Sequence, residues 1–432
     1  MDRKQLVVQR ARDLFGDRLD DVIPMIRQDR QDLRGWEEPA QIRAVLRRTI
    51  REAGDAETEA ADLAVGELDF GRTAGEPDRG QQRETLGQIL ETGANALEKI
   101  RRATNPDLTP EERMGLECAL LLYARPALLV SDGHLASVPA FWNLLEDQRE
   151  DIEMAQRGAG RIELLGHPEL DWAGTGFLVS ETCLMTTRQT LNLFAEPRNG
   201  GYAFRPGITA WMSYNSRYQQ AGNAGFRIKG AIGVLEQYDL ALLEVEPPQQ
   251  RNGAGPTPLA VAPQAPPRLE GRPAYVIGYP IRDGRRNEPE IITRIFRDVY
   301  NVKRVQPGLV RGTLQFGTTQ LLQTDCAPLG LTGGSPILDL ETHQVLGLQL
   351  SGRYLETGTA VPLWTLRDEP LFRRAGVTFA EATVEDLQCA TNQIERLARS
   401  RYWSEARATI SSLYQRAFEN PGNTGSNGGA GR

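Results

Sequence analysis

Side chains able to do covalent or metal chemistry are few in this sequence. Its 432 residues include three histidines, His134, His167 and His343, and four cysteines, Cys118, Cys183, Cys326 and Cys389. Zinc and iron–sulfur sites need cysteine and histidine ligands at short spacing, and with no CxxC or His–Cys cluster present no metal is expected. No glycine-rich segment ending in Lys-Ser/Thr lies between a strand and a helix, so the sequence holds no phosphate loop, and no cofactor is expected. Thr332 and Ser335 place hydroxyls in the glycine-rich run GLTGGSP (330–336), and Asp239 opens an apolar stretch, DLALLEV (239–245). A hydroxyl becomes a nucleophile only beside a base. The sequence places neither His167 nor His343 near Asp239, and all three histidines read as surface or turn residues.

The elements that must position these groups change character along the chain. Up to about residue 104 the pattern is helical: Ile42, Val45, Leu46 and Ile50 share one face of a 3.6-residue period, as do Leu86, Ile89, Leu90, Leu97 and Ile100. Residues 70–82, rich in Gly, Pro and charge, read as a connection between two helical units. Thr109, Pro110, Glu111 and Glu112 form a helix start, with Thr as cap and Pro at the first helical position, leading into a helix to Ala124. A further helix is expected from about Trp142 to Arg157. From Arg161 onward, short runs of β-branched and aromatic residues alternate with turn residues, the language of an all-β barrel or sandwich, and DLETHQ (339–344) reads as a hairpin turn. Beyond Thr383 a helical pattern returns to about Phe418. The Gly-, Asn- and Ser-rich end cannot bury enough apolar surface to order itself. The expected organisation is therefore multidomain, α plus all-β: a helical N-terminal region over 1–104, a lead-in over 105–157, a β domain over 158–380, a C-terminal helix over 381–418 and a disordered tail over 419–432.

Lysine plus arginine is 50 against 57 acids, a net charge of −7, so no domain-wide basic balance points to nucleic acid and no nucleic-acid partner is expected. The three arginines of the loop 281–286 read as a solvated surface. Widely spaced cysteines read as free thiols in a reducing compartment. The N-terminus lacks the uninterrupted apolar core of a secretory signal, and the most apolar stretch, 118–130, is broken by Arg125 and Pro126 and too short to span a bilayer. A cytoplasmic location with no membrane partner is expected.

Three segments of the β region, in order, carry a resemblance. GTGFLVS (174–180) with LMTTRQ (184–189), YDLALLEV (238–245) and GLTGGSP (330–336) resemble the His, Asp and Ser motifs of trypsin-like serine peptidases, in the order of the chymotrypsin fold. RPALLV (125–130), VYNVKR (299–304), TDC (324–326) and GRYL (352–355) through AVPLW (360–364) resemble a bacterial, intracellular group of these peptidases, in which the peptidase follows a helical region. The resemblance implies a double β-barrel and a triad in which serine attacks, histidine takes its proton, and aspartate orients the histidine. It places the histidine position on Gln189, the aspartate on Asp239 and the nucleophile on Gly333. Leu331 and Gly333 take the oxyanion-hole positions, Leu331 where the motif has glycine, and Thr332 replaces the acid or amide before the nucleophile.

An amide is no general base near neutral pH, and glycine has no side chain to attack with. The degenerate positions thus imply a pseudoprotease, a peptidase fold serving as a protein- or peptide-binding regulatory module; the resemblance further implies a place in a bacterial stress or conflict system, with an active peptidase or another effector as partner. The alternative is an active serine-type endopeptidase with non-standard residues, Thr332 or Ser335 as nucleophile with Asp239.

Overall fold

The computed structural model describes residues 3–29, 79–131, 133–136, 138–198, 200–214, 225–246, 255–280, 302–317, 319–326, 333–351 and 357–381. The expected helix around Ile42–Ile50, the loop 281–286 and the C-terminal segment beyond 381 lie outside these residues. Contacts divide the chain into Met1–Ala380 and Glu381–Arg432, and the fold described here is that of the first unit.

Among the described residues four α-helices come first: α1 (Arg3–Phe15), α2 (Leu19–Asp29), α3 (Arg79–Arg102) and α4 (Pro110–Ala119). Leu90, Leu97 and Ile100 are buried against Val7, Ala11, Phe15, Val22 and Ile26, as their helical spacing predicts. Helix α4 starts where its residues require. Thr109 Oγ1 accepts from Glu112 N at 3.2 Å while Glu112 Oε2 accepts from Thr109 N at 2.9 Å, a reciprocal cap with Pro110 in the first turn. The helix widens into a buried π turn over Leu120–Ala124 before the chain turns into strands β1 (Leu128–Ser131) and β2 (His134–Leu135).

The single helix expected over 142–157 is two, α5 (Asn143–Asp147) and α6 (Arg149–Ala155). Gln148 leaves helical geometry between them, and its side-chain oxygen accepts from His343 Nε2 at 3.1 Å, a tertiary bond that local periodicity does not encode.

The β region forms two barrels. The first comprises β3 (Ala159–Leu165), β4 (Trp172–Ser180) and β5 (Cys183–Thr187), then helix α7 (Arg188–Phe194) and the side hairpin β6 (Ala195–Arg198) and β7 (Gly201–Phe204), then β8 (Thr209–Ser213), β9 (Gly225–Leu235) and β10 (Leu240–Val245). Its closed order is β10-β5-β4-β3-β8-β9, around Ile162, Leu178, Leu184, Met212, Ile228 and Leu243. The second comprises β11 (Pro273–Gly278), β12 (Arg304–Phe316), β13 (Thr319–Thr324), β14 (Pro336–Asp339), β15 (Val345–Ser351) and β16 (Gly358–Pro362). A β11–β12 pairing closes it around Ala274, Val276, Val310, Leu322, Ile337 and Leu346. Strand β1 adds to β12, with Leu128 opposite Val305. After β16 comes a short helix, α8 (Pro370–Arg374).

The turn expected at 339–344 joins β14 to β15: Asp339 Oδ1 accepts from the backbone N–H of Glu341 and Thr342 at 2.8 and 3.0 Å, closing it. The alternation of inward residues along these strands is what separates the barrel interiors from the surface between them. That surface is buried too. Phe177, Met185, Leu240, Tyr275, Ile277, Val305 and Val361 share one apolar cluster with the residues of α1 to α4, so the helical region and both barrels have a continuous core.

A buried lysine fastens the two barrels. Lys303, just before β12, donates from Nζ to Gln156 O at 2.8 Å, Gln156 Oε1 at 2.9 Å and Tyr214 O at 2.7 Å, groups at the entry of β3 and the exit of β8. Three N–H groups meet three acceptors, which offsets part of the cost of burying the ammonium. No described helix is long and apolar enough to cross a membrane.

Candidate active site

Gln189, Asp239 and Gly333, the residues that the resemblance assigns to the triad, lie at the junction of β5, β10 and the loop before β14. Leu240 pairs with Thr187, so the residue before β10 faces the residue that begins α7. Asp239 is held there in a left-handed conformation (φ 49°), with its carbonyl accepting from Arg188 N at 2.8 Å. Helix α7 is set by Thr187, whose Oγ1 accepts from Thr190 N at 3.2 Å and lies 2.8 Å from Thr190 Oγ1. This cap fixes the direction of the Gln189 backbone N–H, which donates to Asp239 Oδ1 at 3.1 Å. Arg188 Nε lies 3.7 Å from the same oxygen. Burial raises the Asp239 carboxyl above its ordinary range, against the opposing pull of the Gln189 N–H and Arg188.

The Gln189 side chain is exposed. Asp239 therefore holds the Gln189 main chain and pairs with Arg188, and among the described residues it orients no histidine.

Gly333 is half-buried beside these elements. A Cβ built on Gly174, in β4, would lie 3.1 Å from Thr190 Oγ1 and 3.8 Å from Gly333 O, which brings the first motif, α7 and the nucleophile position to one place. A Cβ built on Gly333 itself would meet only Leu350 O at 3.6 Å, an ordinary contact. Its neighbour is different: Gly334 has φ +86°, and a Cβ there would run into Thr175 O and Thr186 Oγ1. Gly334 N donates to Gln349 O at 2.9 Å, anchoring the loop to β15.

Leu331 and Thr332 lie outside the described residues. Ser335 is fully buried, its hydroxyl packed toward Gly278 and without a hydrogen-bond partner. It is closed off from solvent beside Gly278, a geometry without access to a substrate carbonyl.

The three histidines have partners of their own. His134 Nδ1 lies 3.0 Å from Glu153, and His167 Nδ1 accepts from Glu169 N and Leu170 N at 3.1 and 3.0 Å. His343, at φ 53° in the β14–β15 turn, takes the Tyr275 hydroxyl on Nδ1 at 2.8 Å and burial lowers its pKa. Cys183 and Cys326 are both buried, Cys183 in the core between the barrels and Cys326 in the interior of the second. Burial pushes the Cys183 thiol up to about 12 and raises that of Cys326 as well, so neither is a thiolate at neutral pH.

Sequence reasoning missed two charged sites. Lys303 and Arg304 were visible only as part of the segment 299–304. Arg125 and Asp325 were likewise quoted within two motif segments without a role, yet they form a buried bidentate pair with Nε–Oδ1 and NH2–Oδ2 both at 2.8 Å. A separation of 200 residues leaves no signal of such a pair in one sequence. The hint available was a charge inside each of two otherwise apolar segments.

Residues 174–348 match the trypsin-like peptidase domain family. Among solved structures, the active form of the Rv3671c protease from M. tuberculosis is 20% identical with a TM-score of 0.35, over 53% of this chain and 86% of that one. An inactive form of a serine-to-alanine mutant of Rv3671c from M. tuberculosis H37Rv is 18% identical with a TM-score of 0.33, over 59% and 99%. No curated protein matches. Two six-stranded barrels, and a family match that contains all three motif segments, identify the β region: it is a trypsin-like serine peptidase fold.

Proposed function

We propose that this chain is a catalytically silent trypsin-like peptidase homologue that acts by binding a protein or peptide. One feature carries the reading: the positions that the resemblance assigns to base and nucleophile hold Gln189 and Gly333, while Asp239 Oδ1 accepts from the Gln189 backbone N–H. The amide of Gln189 cannot take a proton from a nucleophile at neutral pH, and Gly333 has no atom to attack with. Removing serine or histidine from a triad of this kind costs about 10⁶ in turnover, because its members act as a unit. The partner is read as a protein or peptide because peptide chains are what peptidases of this fold act on.

The test is hydrolysis of a broad peptide library by the natural protein and by the double variant Gln189→His, Gly333→Ser. Among the described residues a Cβ at Gly333 makes only an ordinary contact, with Leu350 O at 3.6 Å, so the serine's Cβ needs no neighbour to shift. The natural protein is expected to be silent and the double variant to cut. Cleavage by the natural protein above the level of an Asp239→Ala control would overturn the reading.

A further inference from the structure

His134 and His167 bond to groups within 19 residues of themselves. His343, in the β14–β15 turn, instead joins segments 68 and 195 residues away: the Tyr275 hydroxyl of β11 lies 2.8 Å from its Nδ1, and Gln148 Oε1, at the break between α5 and α6, lies 3.1 Å from its Nε2. The Tyr275 and His343 rings meet edge to face, 5.9 Å between centroids. These partners leave one arrangement of hydrogens. Gln148 Oε1 can only accept, so the neutral ring carries its hydrogen on Nε2. Nδ1 then offers a lone pair, and the Tyr275 hydroxyl, which burial keeps protonated, donates to it.

A second proton on the ring sets donor against donor at Nδ1. The hydroxyl can turn to accept, but its own hydrogen is then stranded, because Tyr275 is fully buried and His343 is its bonded partner among the described residues. The charges around the ring do not make up the loss. Asp151 of α6, its Oδ2 3.9 Å from Nε2, attracts an imidazolium, but its side chain is 61% exposed and water screens the pair. Asp339, at the start of the turn, is buried and already holds Arg272 and the N–H groups of Glu341 and Thr342, while Glu341 pairs with the same Arg272. Burial outweighs the pull of Asp151 and Asp339 and favours the neutral ring.

We propose that the chain Tyr275–His343–Gln148 is an acid-sensitive latch, which holds the β14–β15 turn of the second barrel against the α5–α6 break while His343 is neutral and opens when the ring takes a proton. The ring is reachable, with 16% of its side chain open to solvent. Helices α5 and α6 stay in the core through Leu145 and Ile152, so the part that yields is the turn. The direction follows from linkage: the folded ring titrates below its ordinary value of 6.5, so the latch contributes fully above that value and is lost as pH falls through the folded one.

The experiment follows the ring and the turn in the full chain. The sequence has three histidines, so the imidazole signal missing from the NMR spectrum of His343→Asn belongs to His343; asparagine tolerates the φ of 53° at this position. Its midpoint is expected below 6.5, with the hydrogen on Nε2 above that midpoint. Tyr275→Phe, which has no hydroxyl to strand, is expected to raise the midpoint. Amide hydrogen exchange, corrected for the intrinsic rate at each pH, reads the opening. The N–H groups of Asp339 and His343, bonded to Gln344 O and Asp339 O at 3.0 Å, are expected to lose protection by up to about tenfold per pH unit between 6.5 and the folded midpoint, while those of β5 and β10 keep theirs. In His343→Asn, shown to be folded by circular dichroism, that dependence is expected to vanish. A natural midpoint at or above 6.5, a ring hydrogen on Nδ1, a midpoint unmoved by Tyr275→Phe, turn protection equal at about pH 7.5 and about pH 5, or the same pH dependence in His343→Asn would each refute the latch.

Discussion

Replacing Lys303 by methionine and following stability from about pH 6 to 9 tests how the two barrels are joined. Burial pulls the Lys303 ammonium down to about 7, from an ordinary value of 10.5. Below pH 7 the folded and unfolded chains both hold this proton and the residue contributes no slope. Between the two values the unfolded chain keeps the proton and the folded chain releases it, so stability rises with pH by up to about 1.4 kcal/mol per unit. Integrated from pH 7 to pH 9, the gain is about 2 kcal/mol for the natural protein relative to Lys303→Met.

An opposing effect comes from the same geometry. The ammonium presents three N–H groups to Gln156 O, Gln156 Oε1 and Tyr214 O, and a neutral amine leaves one of them facing a lone pair. These bonds favour the charged form, and the measured slope reports which effect wins. Urea unfolding of both proteins at each pH is the assay. Taking the difference between them cancels the titration of tyrosines and of the buried Cys183. A difference that stays flat through pH 9 refutes the argument, because the three acceptors would then hold the proton against burial.

Two further outcomes follow from buried polar groups. Asp325→Ala leaves Arg125 in the seam without its bidentate partner and is expected to cost about 3–5 kcal/mol in denaturant unfolding, with a loss under about 1 kcal/mol contradicting the pair's role. Ser335→Ala removes a buried hydroxyl that has no partner, so stability should be unchanged or higher by about 1 kcal/mol; destabilisation beyond that in thermal unfolding would mean the hydroxyl is hydrogen-bonded.

Local physical chemistry wrote much of this protein plainly into its sequence. The start of α4 was legible because a cap, a proline and two acids act within four residues of each other, and the turn between β14 and β15 because Asp339 closes it on its own neighbours. The barrel fold was legible because strand alternation and the three motif segments occur in order along the chain. The identity of the residues at the triad positions was likewise a matter of reading Gln189, Asp239 and Gly333 from the sequence.

Only the tertiary structure decided what those residues face. That Asp239 binds the Gln189 backbone rather than its side chain depends on the register of β5 against β10 and on the Thr187 cap. The ordinary contact at Gly333, the closed space at Gly334 and the burial of the Ser335 hydroxyl follow from how the chain before β14 lies against β4 and β15. The break at Gln148 and the joining of Arg125, Arg311 and Asp325 are contacts between segments apart in the chain. A hydrogen bond or ion pair across such distances leaves no periodicity behind, whereas a cap or an alternating strand does, and that difference separates what could be read from what had to be seen.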